Sequence, residues 1–452
     1  MAKQVVIVGA GPAGLFAAKE LAGKADIVIY DKGKEADQRS CPKNLTRNGT
    51  CVHCNPCQVT HGIGGAGLMT DGKLMYDIRV GNNLNEIISP EENKQLVDAV
   101  ERGFGEYGIT TLIGNEEKIE RIRRKALQNR VDFIYPRQTH IGSDNLPRLM
   151  QQFKKDLEGK GVEFRTSTDV NCLEDICQQG NVVLLAPGRV GGGEDWLENI
   201  LKGKGVQIGY RPVDIGTRVE TDSIVTKEVT DVTRDMKFYI NTETYQTRVR
   251  TFCTCPNGFV AQETYNGFVT VNGHAESSEN GNQSPNTNFS LLVTVPLTQP
   301  QSNSNENARK LGEYIYNLGG GKIIAQRFGD FKRHRRSKGE KQKDYFVQPT
   351  LKDFTWGSLY FLPEIYHRGI FEGLERLDRI MPGLANDSTI LYIPEIKFHG
   401  LRIPTDANLR VQTQNPTSIY VAGDGSGFSR GIVGAAASGV LAARGIHKEL
   451  GL

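Results

Sequence analysis

The chain has 452 residues, a formal charge of +3, 38% hydrophobic and 24% charged residues, and eight cysteines. That length supports a large core in two or three domains, the small net charge makes no electrostatic case for nucleic acid, and no apolar run reaches the ~18–20 residues of a membrane-spanning helix. The apolar N-terminus reads as a strand and not as a secretion signal, because a glycine fingerprint follows at once. A cytoplasmic location is therefore expected, with cysteines serving as thiols, redox groups or metal ligands and not as structural disulfides.

The first element is the apolar run Val5–Val8. It is followed by Gly9-Ala10-Gly11-Pro12-Ala13-Gly14, a helical stretch Leu15–Leu21, and a second apolar run, Ile27–Tyr30, ending in Asp31 and Lys32. This is the strand, glycine turn, helix, strand and acid unit that grips the ADP half of a dinucleotide. Gly9 makes the tight turn, Gly11 admits the pyrophosphate, and Gly14 lets the helix pack on the strand. The N-terminus of the helix faces the phosphates, and Asp31 can accept hydrogen bonds from ribose hydroxyls. Taken alone, the unit allows NAD or FAD.

Residues 32–75 are polar, cysteine-rich and then glycine-rich, which predicts a long functional loop. Cys41, Cys51, Cys54 and Cys57 fall within seventeen residues. Their C-x2-C-x2-C run suits an iron–sulfur cluster, a zinc site joined by His53 or His61, a redox pair beside a flavin, or plain thiols in a loop. The run Gly62–Gly67 suits close approach of backbone to a planar ring. Helices are expected at Glu91–Tyr107, Glu116–Gln128 and Asn145–Lys160, with strands at Val131–Pro136, after Gly161, and at Val182–Leu185. From Gly205 to about Val295 the chain is rich in Thr, Val, Tyr and Phe. The dipeptides Asn257-Gly258, Asn266-Gly267 and Asn272-Gly273 read there as hairpin turns. A helix follows at Asn307–Leu318, then the basic run Phe331–Lys343, then a helix at Pro363–Ile380. The basic run reads as a solvated loop or as a docking site for an acidic redox carrier protein, and its lack of interleaved aromatics argues against nucleic acid.

The last strand and turn, Ile419–Asp424, precede a Gly/Ala-rich helix from Gly431 to Ala443. Small residues there let the backbone lie against a flat ring and its ribityl chain. Asp424 can bond the hydroxyls, and the helix start at Gly431, Ile432 and Val433 turns its positive end to the ring edge. Together with the fingerprint, this favours FAD. A second strand–GxGxxG–helix unit is missing, so a built-in NAD(P)H domain is not expected.

The GAGPAG at Gly9–Gly14, the turn Ala186-Pro187-Gly188-Arg189 and the segment Ala422–Gly425 resemble the glutathione-reductase-type FAD fold. Within it, Gly62–Leu74, Phe252–Gly258, Val271–His274 and Ala325–Arg327 resemble the FAD-dependent (NAD(FAD)-utilizing) dehydrogenases. The resemblance implies that Gly64, Gly65, Ala66, Gly67 and Lys73 lie beside the isoalloxazine or pyrophosphate. It also implies that the Val170 backbone meets the adenine and that Ala186, Pro187, Gly188 and Arg189 pass near the dinucleotide; Gly423 and Asp424 are further cofactor candidates.

The expected fold is α/β. A discontinuous Rossmann-like FAD-binding domain spans residues 1–205 and 376–452, with a β-rich substrate domain inserted at 206–375. The expected activity is a FAD-dependent oxidoreductase that moves hydride between flavin and a carbon centre of a small-molecule substrate. The alternative is an electron-transfer flavoprotein that relays electrons through a cluster on Cys41, Cys51, Cys54 and Cys57. His61, Lys73, Cys255 and His399 are the candidates for acid, base or substrate contact.

Overall fold

The computed structural model describes residues 4–41, 54–70, 72–112, 114–142, 145–176, 182–189, 195–265, 267–275, 283–296, 303–339, 344–398, 400–413 and 418–452. The chain divides into two compact units. The first comprises residues 1–112, 136–211 and 399–452, and the second comprises residues 113–135 and 212–398.

In the first unit, the strand Gln4–Val8 is buried on both faces, as its run of β-branched residues demands in a parallel sheet. It pairs in parallel with Asp26–Tyr30 on one side and Val182–Leu185 on the other. Glu163–Arg165 and Ser418–Val421 complete five parallel strands. Numbered along the chain, their spatial order is 3-2-1-4-5. Winding therefore reverses between Gln4–Val8 and Val182–Leu185, and in such sheets ligands bind beyond the carboxyl ends of the strands at that reversal. Helix Pro12–Leu21 packs on the C-terminal helix Ile432–Leu450. Gly439 sets their separation, since a Cβ there would lie 2.0 Å from the Ala13 carbonyl oxygen. On the other side, Phe16 meets Phe104 and Phe153 at ring distances of 5.0 and 5.2 Å. These two rings come from the helices Pro90–Gly105 and Leu146–Glu158.

The second unit is built on an eight-stranded sheet. Its centre is Asp214–Asp222, paired antiparallel with Asn286–Thr294 and with Ile390–Lys397. Arg248–Cys255 joins next to Asn286–Thr294, and the hairpin Phe259–Tyr265/Phe268–His274 packs on the sheet.

The unit borders differ from the expected ones. Residues 376–398 belong to the second unit because Ile390–Lys397 is a sheet strand bonded to Asp214–Asp222 and Ile323–Arg327. Residues 113–135 belong there because Asp132–Ile134 pairs with Lys237–Asn241. Asn272-Gly273 is not a turn but lies inside the strand Phe268–His274. Glycine is needed there for packing: a Cβ on Gly273 would fall 1.9 Å from Arg218 Nη2 and 2.5 Å from Asn288 Oδ1. Asn257-Gly258 does turn, between Arg248–Cys255 and Phe259–Tyr265, while Asn266 lies outside the described residues. Among the described residues, no helix is long and apolar enough to cross a membrane.

Candidate functional site

The three fingerprint glycines do different work. Gly9 has φ +108°, and a Cβ on it would fall 2.1 Å from the Ala186 carbonyl oxygen. That contact joins the two strands flanking the reversal, where Ala186 N–H also donates to Val8 O at 2.8 Å. A Cβ on Gly14 would fall 2.0 Å from Gly9 O, so Gly14 lets the helix start close to the strand. Gly11 differs from both. A Cβ there would meet only Gly65 Cα, at an ordinary 3.7 Å. The helix then begins with Pro12 at its first position and no side-chain cap. Its first-turn N–H groups and the positive end of its dipole are thus available to an anion.

The loop after the second strand is tied to this turn. Asp31 accepts hydrogen bonds from Ala10 N at 2.9 Å, Gly33 N at 2.8 Å and Gly62 N at 2.9 Å. Expected as a ribose ligand, Asp31 is in this structure first an organiser of backbone. A carboxylate has about four acceptor positions, so three bonds leave room for roughly one more. Lys32 lies 3.6 Å from Asp169 in an ion pair. Gly64 N–H donates to Ala10 O at 2.9 Å and Ile63 N–H to Lys34 O at 3.1 Å. A Cβ on Gly33 would fall 2.2 Å from Gly62 N.

Arg39, absent from the expected site, locks the loop. Its guanidinium is buried and donates to Gln58 O at 3.1 Å, Val59 O at 2.8 Å and Ile63 O at 2.7 Å. Burial lowers its pKa to about 10, against the opposing pull of Asp31 and Cys57. A single arginine in a polar stretch carries no periodic signal, so sequence reasoning passes over it. The described part of residues 32–75 is consequently not a loose loop. Ile63 and Leu68 are core residues, and Gly65–Met69 forms a 3-10 turn.

That turn brings the predicted cofactor residues together. Gly65, at φ +61°, would direct a Cβ to within 3.0 Å of Gly11 Cα. A Cβ on Gly67 would lie 3.1 Å from Ile432 Cγ1. Ala66 stands between them in the turn. A cavity with an apolar lining that includes Pro12, Leu15, Phe16, Leu68, Met150 and Ile432 opens beside this point.

The C-terminal segment meets the fingerprint from the other side. Gly423, at φ +81°, would direct a Cβ to 3.2 Å from Ala13 Cβ, and its N–H donates to Ser438 Oγ at 2.8 Å. Asp424 Oδ1 accepts from Ser429 Oγ at 2.7 Å and from Gly431 N at 3.1 Å. Its Oδ2 lies 3.7 Å from Arg189 Nε. The helix Ile432–Leu450 also starts without a side-chain cap, with Gly431 at φ +142° and Val433 buried in its first turn. Pro187 and Gly188 follow Ala186, and a Cβ on Gly425 would fall 2.4 Å from Gly188 O. Val170 is buried, but its carbonyl already accepts Trp196 Nε1 at 2.6 Å. One of the two lone pairs on that carbonyl is thus taken by an indole.

The expected catalytic residues do not fall in one unit. His61 and Lys73 belong to the first and Cys255 to the second, while His399 lies outside the described residues. His61 Nδ1 lies 2.8 Å from Thr60 Oγ1 and 3.1 Å from Cys57 O. The carbonyl favours a proton on Nδ1. Lys73 opens the strand Lys73–Tyr76, opposite His140. Of the expected metal ligands, Cys51 lies outside the described residues, as does His53, while Cys41, Cys54 and Cys57 are half-buried thiols. Among the described residues, no group of three or more His, Cys, Asp or Glu side chains is placed to hold a metal ion. Three cations of the basic run are paired with acids outside it: Lys332 and Arg333 with Asp387, and Arg335 with Asp330.

Residues 215–397, nearly the whole second unit, match the family described as "FAD-dependent protein, C-terminal domain-like". The FAD expectation agrees with that description. An uncharacterized protein of Clostridium beijerinckii is 25% identical over 99% of this chain and 81% of its own length. Among solved structures, glycine oxidase from Geobacillus kaustophilus is similar over 99% of this chain and 95% of its own, at 11% identity and TM-score 0.38. L-proline dehydrogenase from P. horikoshii is similar over 99% and 94%, at 12% identity and TM-score 0.40. At these values the structural likeness assigns no activity to the chain.

Proposed function

We propose that this chain is a FAD-dependent oxidoreductase that transfers hydride between the flavin and a carbon centre of a small organic substrate, on a glutathione-reductase-type FAD fold. The observation that carries the reading is the meeting of Gly11, Gly65, Gly67, Gly423 and Ile432 around two uncapped helix starts. A Cβ at Gly11 would find ordinary space on the protein side, so the glycine is explained by something outside the protein that must come close. The N–H groups of Ala13 and Gly14 would hold the pyrophosphate. The remaining acceptor position of Asp31 would take a ribose hydroxyl. Asp424, steadied by Ser429 and Gly431, would orient the ribityl chain, and Gly64–Gly67 with Lys73 would border the ring.

Bound FAD supplies two-electron chemistry. The chain's own part is to bind and orient it, to set positive potential at its edge with the start of Ile432–Leu450, and to supply a proton donor or acceptor, for which His61 is the candidate. The ion pairs that Lys332, Arg333 and Arg335 make with Asp330 and Asp387 offset part of the basic run's charge and support a small-molecule substrate over an acidic carrier protein. The test is to release the chromophore from purified protein by denaturation and identify it. FAD at about one per chain is expected. A colourless protein that also fails to quench added FAD fluorescence overturns the reading. Anaerobic bleaching by a panel of amines, hydroxy acids and nicotinamides then selects the substrate class.

A further inference from the structure

In the second unit, the strand Ile323–Arg327 ends in an arginine whose side chain is fully buried. Arg327 Nη1 donates to Val347 O at 2.7 Å and to Ser388 O at 2.6 Å, and its guanidinium carbon stands 4.5 Å from the centre of the Tyr345 ring. One buried cation thus fixes the residues on both sides of Phe346. Phe346 itself is 88% exposed, the most exposed large hydrophobic side chain among the described residues. A single exposed apolar residue is ordinary, but one held out from a fixed backbone amid cations is not. Ser388 follows Asp387, which pairs with Lys332 at 3.1 Å and with Arg333 at 2.6 Å, so the same arginine sets Phe346 beside the basic run. Arg335 pairs with Asp330 at 3.0 Å, and Arg336 Nη2 donates to Trp356 O at 3.2 Å. Pairing does not bury these cations. The side chains of Lys332, Arg333 and Arg335 are 36%, 50% and 60% exposed, and Arg336 and Lys338 are exposed as well. The carboxylates here, Asp330, Asp344 and Asp387, are fewer than these five cations, so the patch stays positive.

We propose that this patch docks on a membrane surface that carries anionic lipid, with Phe346 entering the boundary between headgroups and acyl chains and Lys332, Arg333, Arg335, Arg336 and Lys338 facing the lipid phosphates. An apolar side chain ringed by cations matches a surface that is anionic outside and apolar just beneath. A nucleic acid would call for several open aromatic faces, but the Tyr345 ring is occupied by the Arg327 guanidinium and the Tyr360 ring stacks on His334 at 5.2 Å. An acidic protein would pair with the cations and leave Phe346 without a reason to stand in water. Near an anionic leaflet each cation strengthens binding about fivefold, and added salt removes that part. Docking requires no flavin and stands independently of the hydride-transfer reading.

The test sediments the full chain with vesicles of phosphatidylcholine alone, and with vesicles in which part of it is replaced by phosphatidylglycerol, at about 0.1 M and about 0.5 M salt. Binding to the anionic vesicles at the lower salt is expected, with release at the higher salt and little binding to phosphatidylcholine alone. Phe346→Ser should weaken partition about tenfold and Arg336→Gln about fivefold. Both side chains are exposed, so neither variant should shift the thermal midpoint. In Phe346→Trp, the emission gained over wild type should move to the blue with anionic vesicles and be quenched by brominated acyl chains. Emission that vesicles do not move, or partition that Phe346→Ser leaves unchanged, overturns the proposal. So does a protein that binds a labelled DNA duplex but no vesicle.

Discussion

The three glycines of one turn can be told apart by what a methyl group on each would strike. On Gly9 it strikes the Ala186 carbonyl in a backbone conformation that alanine rarely adopts, and on Gly14 it strikes the Gly9 carbonyl. Gly9→Ala and Gly14→Ala should therefore each lower stability by several kcal/mol, on the order of other overpacking and backbone-strain changes, seen as a lower denaturant midpoint even without cofactor. On Gly11 the methyl has room. Gly11→Ala should leave the stability of the cofactor-free protein within about 0.5 kcal/mol and weaken FAD binding at least tenfold. Equal losses of stability in all three variants would mean that Gly11 serves packing and not a ligand. The glycine pattern was legible because each role follows from spacing along a known turn. Arg39 was not, because its role depends on three carbonyls brought to it by a loop 19 to 24 residues away in sequence. Arg39→Met strands those buried acceptors, and a loss of about 3 kcal/mol is expected, with faster amide exchange in residues 58–65.

At the scale of elements, the helix Pro90–Gly105 shows what local sequence controls. Ser89 accepts from Glu92 N at 3.2 Å, and Glu92 Oε2 accepts from Ser89 N at 3.1 Å, a reciprocal cap written as Ser-Pro-Glu-Glu. Ser89→Ala should cost about 1 kcal/mol, read as faster amide exchange in the first turn. A longer tie holds the preceding 3-10 turn Leu84–Glu86, where Glu86 takes both Arg211 Nη1 and Nη2, at 2.8 and 2.9 Å. The Arg211 hydrogen bond lowers the Glu86 pKa below its ordinary 4.5, against opposing burial. A depressed carboxylate stabilises the fold above its unfolded pKa, and that contribution fades as pH falls through the folded value. Glu86→Gln should thus cost stability at neutral pH and progressively less at acid pH, as the folded carboxylate takes up its proton below 4.5. Its side chain is 43% exposed, so solvent screening limits the neutral-pH cost to about 1 kcal/mol. Equal loss at both pH values would show that the charge is not what matters. The buried parallel strands and most of the expected helices were legible to within two or three residues because period and caps are local, whereas the last helix runs seven residues past the expected Ala443 and the short helices Trp196–Gly203 and Ser223–Thr230 were not expected. The bulge at Cys253 in the strand Arg248–Cys255 and the strand placement of Gly273 were not legible, since both are set by the neighbour across the sheet.

At the scale of the whole molecule, the β-rich character of the second unit was visible in composition, but its borders were not. The strand Ile390–Lys397 is an apolar run that would suit either sheet, and only its pairing with Asp214–Asp222 assigns it. The division has a consequence for cofactor linkage. Every residue proposed to hold FAD belongs to the first unit, which the chain builds from three separate stretches. A ligand that binds only the folded form stabilises what it touches by RT ln(1 + [L]/Kd), about 2.7 kcal/mol at a hundredfold excess over Kd. If the first unit alone contributes the binding groups, FAD added to cofactor-free protein should slow amide exchange in its three stretches together, with Gly9–Gly14, Gly62–Met69 and Gly423–Val433 gaining most. Exchange within the sheet Asp214–Asp222, Asn286–Thr294 and Ile390–Lys397 should change little. Linked protection across residues 4–70 and 418–452 is the stringent part of this expectation, because those segments are joined through Gly11, Gly65, Gly67 and Ile432 and not through the chain between them. Protection that instead appears chiefly in residues 212–398 would move the cofactor to the other unit and refute the assignment of the glycine cradle.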